Sequence, residues 1–285
     1  MKGHLAIVIT SILFATTGII VKLIGTEVPF MTLNFLRVFL GFIFLLAFVP
    51  FIDKNTFKPA KKDLKDYFVV GALIAVTTCL YTVSFLLAPV HNVTLINSVI
   101  PFFVFVFAYF LLKEQVTKTK IITLIIALIG LAIIDPFDFV GGSFLGNMVS
   151  LVHAGFFALM LIEMRKEDKN HSIGDVVWFF FFAVLLLLPI PFIFGLGNIL
   201  NVLPLVLFLG FVSTGLAYLF YNLALEKVEA EEASIIETIT VPLVSIFLAV
   251  IIIAEEINSR TILGGIVLVC AGIYLETHKK QLKQN

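Results

Sequence analysis

The chain is 285 residues long, 60% hydrophobic and only 13% charged, with a mean hydropathy of +1.12 and a formal net charge of zero. That composition excludes a soluble globular domain of ordinary make-up, and the balanced charge gives no electrostatic basis for a nucleic-acid partner. The implied partner is a lipid bilayer, in which about 20 apolar residues cross a hydrocarbon core about 30 Å thick.

Apolar runs predict ten spans, at residues 5–24, 30–52, 67–88, 92–112, 119–135, 144–164, 174–195, 203–225, 233–254 and 260–277. The first follows Lys2 as a signal peptide would, but it is long and leads into more membrane, so a retained helix is expected. The fifth and tenth are the weakest: the run from Ile121 to Ile134 falls short of about 17 residues and must borrow from its flanks or thin the bilayer. Cys79 and Cys270 lie inside apolar runs and give neither a disulfide framework nor metal-ligand spacing, and no cofactor is implied.

Lysine and arginine beside short loops stay on the cytoplasmic side. With the N-terminus inside, sixteen of them flank cytoplasmic segments and only Arg260 lies in an outer loop. A miscounted span would scramble that bias. The expected protein is therefore all-α and polytopic, sits in the cytoplasmic membrane and has both termini in the cytoplasm.

Pro101 and Pro242 stand 141 residues apart inside apolar helices, and each is followed thirteen residues later by a glutamate, Glu114 and Glu255. The spacing implies a duplication, with a first five-helix repeat at 1–139 and a second at 140–285. Five is odd, so the second copy enters the membrane upside down. Inverted repeats with prolines at matching places point to a carrier that alternates access, because such helices break where backbone must meet a solute.

The paired prolines and glutamates, the segment LNFLRVFLGFIFLL with Arg37, and the five-plus-five layout resemble the EamA family of the drug/metabolite transporter superfamily. The resemblance covers nearly the whole chain and implies a ten-helix carrier of amino acids, other small metabolites or drugs, often an exporter. Two departures stand out. Phe14 and Ala15 replace a tryptophan often found early in the first helix, and the second half has no counterpart of Arg37.

A charge at the centre of a helix in lipid costs about 2.5 to 3.5 kcal/mol, so polar groups at depth should face a cavity or another helix. His153 lies about 14 Å into the sixth span, near the midplane, and reads as a solute hydrogen-bonder, a proton acceptor or a packed neutral histidine. Glu237 shares a helix face with Ser234, Thr240 and Val244, and reads as an ion-coupling carboxylate or as the end of the acidic entrance formed by Glu229, Glu231 and Glu232. Pro101 and Pro242 should free the carbonyls of Asn97 and Thr238, which suits a hinge or cavity wall; Asn97 shares the face of Pro101.

Matching polar stripes run along the third span (Thr77, Tyr81, Ser84) and the eighth (Thr214, Tyr218, Tyr221, Asn222), with Thr16 and Thr17 at similar depth in the first. Substrate-binding candidates are thus His153, Asn97, Tyr81, Thr17, Thr214, Tyr218 and Tyr221; for the hydroxyls of threonine and serine the alternative is interhelical bonding worth about 0.6 kcal/mol each. Arg37, about 12 Å into the second span, is expected to snorkel outward beside Lys22 or to line an anion-attracting vestibule. Glu114 and Glu255 are expected as interfacial caps or ion-pair partners. Small residues Gly71, Ala75 and Cys79, the pair Gly210 and Thr214, and the pair Gly142 and Gly146 favour close helix contacts, within one chain or in a homodimer. The aromatic run Trp178–Phe182 reads as lipid-facing bulk.

No G-x-x-x-x-G-K-S/T loop is present, so energy must come from a gradient, and no H-E-x-x-H or serine–base pair in one span supports an intramembrane enzyme. The expected function is a secondary carrier exporting an amino acid or related metabolite. The alternatives are uptake or efflux of another small molecule, or a scaffold or sensor whose buried polar groups satisfy one another and leave no cavity.

Overall fold

Prolines set several of the helix starts. Pro29 (φ −53, ψ 132) and Pro89 (φ −58, ψ 148) stand in extended geometry just before the second and fourth spans, where a missing N–H costs nothing. Gly195, with φ 72, ends the seventh span in a conformation that side-chain-bearing residues avoid. The computed structural model describes residues 3–54, 56–57, 64–112, 118–134, 143–166, 173–225, 227–228 and 230–282, and the regular secondary structure among them is helical throughout.

Ten spans result. Span 1 is Gly3–Ile24, span 2 Phe30–Ile52 and span 3 Leu64–Leu87. Span 4 is broken into Val90–Ile96 and Ile100–Leu112 by a tight turn at Asn97–Val99. Span 5 is Lys118–Ile134, span 6 Phe144–Lys166, and span 7 runs as Asp175–Leu187 and Ile190–Phe194, interrupted at Pro189. Span 8 comprises Ile199–Val202, Leu203–Gly210, a wide π-turn at Phe211–Leu216 and Ala217–Leu225; span 9 is Ala230–Ile253 and span 10 Ser259–Leu282. Eight are long and apolar enough to cross a membrane, and the shorter apolar stretches are Ile121–Gly130 and Ser259–Ala271. The two weak spans are the fifth and the tenth, as their sequences predict.

Packing follows a pseudo-two-fold rule. Span 3 lies along span 6 as span 8 lies along span 1; span 4 packs on span 6 as span 9 packs on span 1; span 3 meets span 7 as span 8 meets span 2. Exchanging each span with the one five places later turns each of these three contacts into its mate. Spans 2 and 7, 4 and 9, and 5 and 10 touch across the axis itself. Spans 5 and 10 pack chiefly on each other, with Gly130 against Leu268 and the carbonyl of Gly264. The expected junction of the halves, between 139 and 140, lies outside the described residues, as do Glu114, Glu229 and Gly142.

The aromatic run of span 7 is not lipid-facing bulk. Phe179 and Phe180 are fully buried, Phe180 sits edge-on to Tyr218 at 5.0 Å, and Trp178 donates its indole N–H to the carbonyl of Thr56 at 2.7 Å; only Phe181 is well exposed. A helix in contact with spans 2, 3 and 8 must bury one face, and the periodicity of an all-apolar run does not say which. Close approach requires the small residues there: a Cβ on Gly71 would lie 2.7 Å from the carbonyl oxygen of Phe179 and 2.8 Å from the Cβ of Phe182.

Gly71→Val is expected to destabilise the protein by about 1–3 kcal/mol through overpacking. Gly155→Ala, whose Cβ meets only the Phe103 ring at 3.9 Å, should be neutral or stabilising by about 0.4–1 kcal/mol. Thermal unfolding in detergent separates the two, and a loss for Gly155→Ala as large as for Gly71→Val contradicts this packing.

Candidate functional site

A cavity of about 70 Å³ lies among spans 1, 2, 3, 4, 6, 8 and 9, drawing its wall from both halves. Its volume admits several waters or a compact solute group. Phe14, Phe157 and Ile100 give it apolar surface, and Arg37, Tyr81, Asn97, His153, Tyr218 and Glu237 give it polar surface.

The tight turn of span 4 builds one wall. Asn97 donates its amide N–H groups to the carbonyl of Val93 at 2.9 Å and to the Ser150 hydroxyl at 3.3 Å, while Ser150 donates to the same carbonyl at 3.1 Å. A carbonyl only accepts, so the Asn97 amide orientation is fixed and its oxygen faces His153 Nδ1 at 2.7 Å. The network therefore assigns the histidine proton to Nδ1, leaving Nε2 of the neutral ring as an acceptor. The imidazole stacks on Tyr81 with centroids 4.6 Å apart and planes 21° from parallel.

Arg37 forms the opposite feature. It is 2% exposed and does not snorkel: its Nε donates to Thr214 Oγ1 and its Nη1 to Thr82 Oγ1, each at 3.2 Å. Both hydroxyls direct their own hydrogens at backbone carbonyls, Thr82 to Thr78 at 2.9 Å and Thr214 to Leu209 at 2.8 Å, so their lone pairs are free for the guanidinium. The bond from Thr214 back to Leu209 spans five residues and belongs to the π-turn, a distortion common at functional sites. Depth flagged Arg37 in the sequence, but the direction of its side chain needed the neighbouring spans. Thr82 and Ser98 carried no sequence signal.

Glu237 is buried beside the cavity, and its Oε1 has no hydrogen-bond partner among the described residues. Tyr81 and Tyr218 line the same cavity as Arg37 and Glu237. No ion pair joins Arg37 to Glu237 among the described residues.

The two prolines behave differently. Pro101 follows a real break, Pro242 sits in a continuous helix, and only Pro242 lines the cavity. Neither freed carbonyl stays free. The Ile100 N–H bonds the carbonyl of Asn97 through the tight turn, and the Ser98 hydroxyl donates to the carbonyl of Thr238 at 3.4 Å across the two halves. Inside hydrocarbon an open carbonyl is expensive, so neighbours close around it.

Of the expected solute contacts, His153, Asn97, Tyr81 and Tyr218 converge on the cavity, and Glu237 joins them. Thr214, Thr17 and Tyr221 do not line it. Thr214 supports Arg37, Thr17 is buried within the packing of span 1, and Tyr221 is fully buried in the core beside Phe14. Tyr218 and Tyr221 lie three residues apart, one above the other on the same face of span 8, and of the two Tyr218 lines the cavity. Glu255 takes the expected capping role: its oxygens accept the N–H groups of Val90 at 3.2 Å and His91 at 3.4 Å, and Oε1 lies 2.6 Å from His91 Nδ1.

The sequence pattern of the EamA-like transporter family matches residues 1–134 and again residues 144–277. Among individual proteins, the pseudopaline exporter CntI of Pseudomonas aeruginosa is 26% identical over 98% of this chain and 97% of its own. The S-adenosylmethionine uptake transporter of Rickettsia conorii is 24% identical over 94% and 90%. A solved crystal structure superposes with a TM-score of 0.71 over 95% of this chain and 94% of its own at 16% identity, a likeness of fold.

Tyr221→Phe is expected to leave thermal stability unchanged or raised, because the hydroxyl it removes has no partner among the described residues. Asn97→Ala strands the His153 Nδ1–H and should cost about 1–3 kcal/mol. Melting curves of both variants in detergent read the difference; equal losses contradict the assigned network.

Proposed function

The chain belongs to the EamA-like transporter family, and we propose that it is a secondary carrier which moves a compact organic solute by alternating access, exporting an amino acid or related metabolite. It is a multi-pass membrane transporter and not an enzyme. The observation that carries the narrower reading is a cavity holding one fixed cation, Arg37, and one carboxylate, Glu237, without an ion pair between them. A zwitterion supplies the missing partner for each. A neutral solute would leave the Arg37 guanidinium, which cannot shed its proton, uncompensated in a low-dielectric site, at a cost of several kcal/mol.

A scaffold or sensor is disfavoured because its buried polar groups would satisfy one another, whereas Glu237 Oε1 is unpartnered beside an open volume. Relatives named for export and for uptake both exist, so direction rests on the cell experiment. In this reading the repeats 1–139 and 140–285 are the two moving units and both termini are cytoplasmic in the cell membrane. His153, Asn97, Tyr81 and Tyr218 contact the solute, and Pro101 with its tight turn and Pro242 serve as hinges. Glu237 takes up and releases the coupling proton. Pairing of two copies through the outward apolar faces completes the arrangement in the membrane.

Expression in a host lacking the protein, with untargeted mass spectrometry of cells and medium, is expected to reveal a solute lost from the cells and gained by the medium. His153→Ala should cut that flux at least tenfold. In proteoliposomes, Glu237→Gln should abolish the acceleration of export that acidifying the outer compartment gives the intact protein. Flux that is unchanged by the pH gradient in the intact protein removes the coupling role.

A further inference from the structure

We infer that Arg37 is the anchor for a singly charged anionic group of the solute, a carboxylate, and that Thr82 and Thr214 are positioning residues which hold its guanidinium toward the cavity. The inference rests on the carrier reading and adds the group by which the solute is recognised. A guanidinium has five N–H donors in a fixed plane. Two are used, Nε on Thr214 and one on Nη1 to Thr82, which leaves one on Nη1 and both on Nη2 without partners among the described residues. Those three belong to a side chain that is 2% exposed and lines the cavity.

The cradle is built for orientation and leaves the charge unneutralised. Both supports are neutral hydroxyls, and each is itself pinned to a backbone carbonyl. They come from spans 3 and 8, one in each half, so a cation on span 2 is aimed by both repeats. The second half has no matching arginine, and this cation is a device of one repeat alone.

The size and charge of the site select the class of anion. A cavity of about 70 Å³ lined by one fixed cation, Arg37, offers a charge partner to a single negative group and none to a second. A phosphate dianion would keep excess charge away from water and face Glu237. A planar carboxylate matches the free edge of the guanidinium and takes two parallel hydrogen bonds.

The test uses the purified full-length protein in detergent and thermal stabilisation by three matched probe sets: L-amino acids, their amides and the corresponding decarboxylated amines. Stabilisation by one or more of the acids, with at least tenfold weaker effect from the matched amide and amine, is the expected result. In Arg37→Lys and Thr214→Val the acid should need at least tenfold higher concentration, and Thr214→Ser, which keeps the hydroxyl, should restore binding to within about threefold. An amide or amine that stabilises as well as its acid overturns the anchor, and so does a panel in which no acid stabilises. The comparison on the intact protein stands even where a variant does not fold. A solute that lacks any anionic group yet is moved by the protein in cells overturns the anchor and leaves the carrier reading intact; absence of any flux removes the carrier reading itself.

Discussion

Hydrocarbon supplies no hydrogen-bond partner, and that single constraint organises this molecule. At three places where the chain deviates from a regular helix, an exposed group is met from a neighbouring element. The carbonyl of Asn97 is taken by the Ile100 N–H, the carbonyl of Thr238 by the Ser98 hydroxyl, and the first N–H groups of span 4 by the carboxylate of Glu255. Each repair crosses a helix boundary or joins the two halves. Irregular backbone is tolerated here because it is enclosed by protein.

Duplication gives the fold its symmetry, and the cavity is where that symmetry is broken. Related contacts recur in pairs around the axis, yet the paired prolines are used unequally: the first half breaks its helix at Asn97–Val99 and the second carries Pro242 through a continuous one. The charges are unequal too, with Arg37 from the first half and Glu237 from the second. A symmetric frame lets two conformations be nearly equal in energy, and unequal side chains on it let one solute be recognised in one orientation.

Around the cavity, aromatic rings and hydroxyls divide the work. Tyr81 covers the His153 ring, Phe180 and Phe14 pack on Tyr218, and threonine hydroxyls in spans 3 and 8 hold Arg37. Rigid rings limit the cavity to a compact shape, while fixed hydroxyls place the guanidinium without neutralising it. In the proposed carrier, affinity for an anion would come from a charge already desolvated and already oriented.

By itself, the sequence determined the class, the ten spans, the duplication, the weak fifth and tenth spans, and which spans carry His153, Asn97, Tyr81 and Glu237, because run length and spacing are local quantities. The family resemblance followed from order and repetition. What only the tertiary structure decided is which side of each helix meets which neighbour. Arg37 turned inward, Tyr218 and not Tyr221 reached the cavity, Phe179 and Phe180 were buried, and Thr214 became a support for a cation 177 positions away in the chain. In spans apolar on all sides, no periodicity distinguishes lipid from protein, so rotation about the helix axis is fixed by packing between spans and by the need to pair each buried polar group.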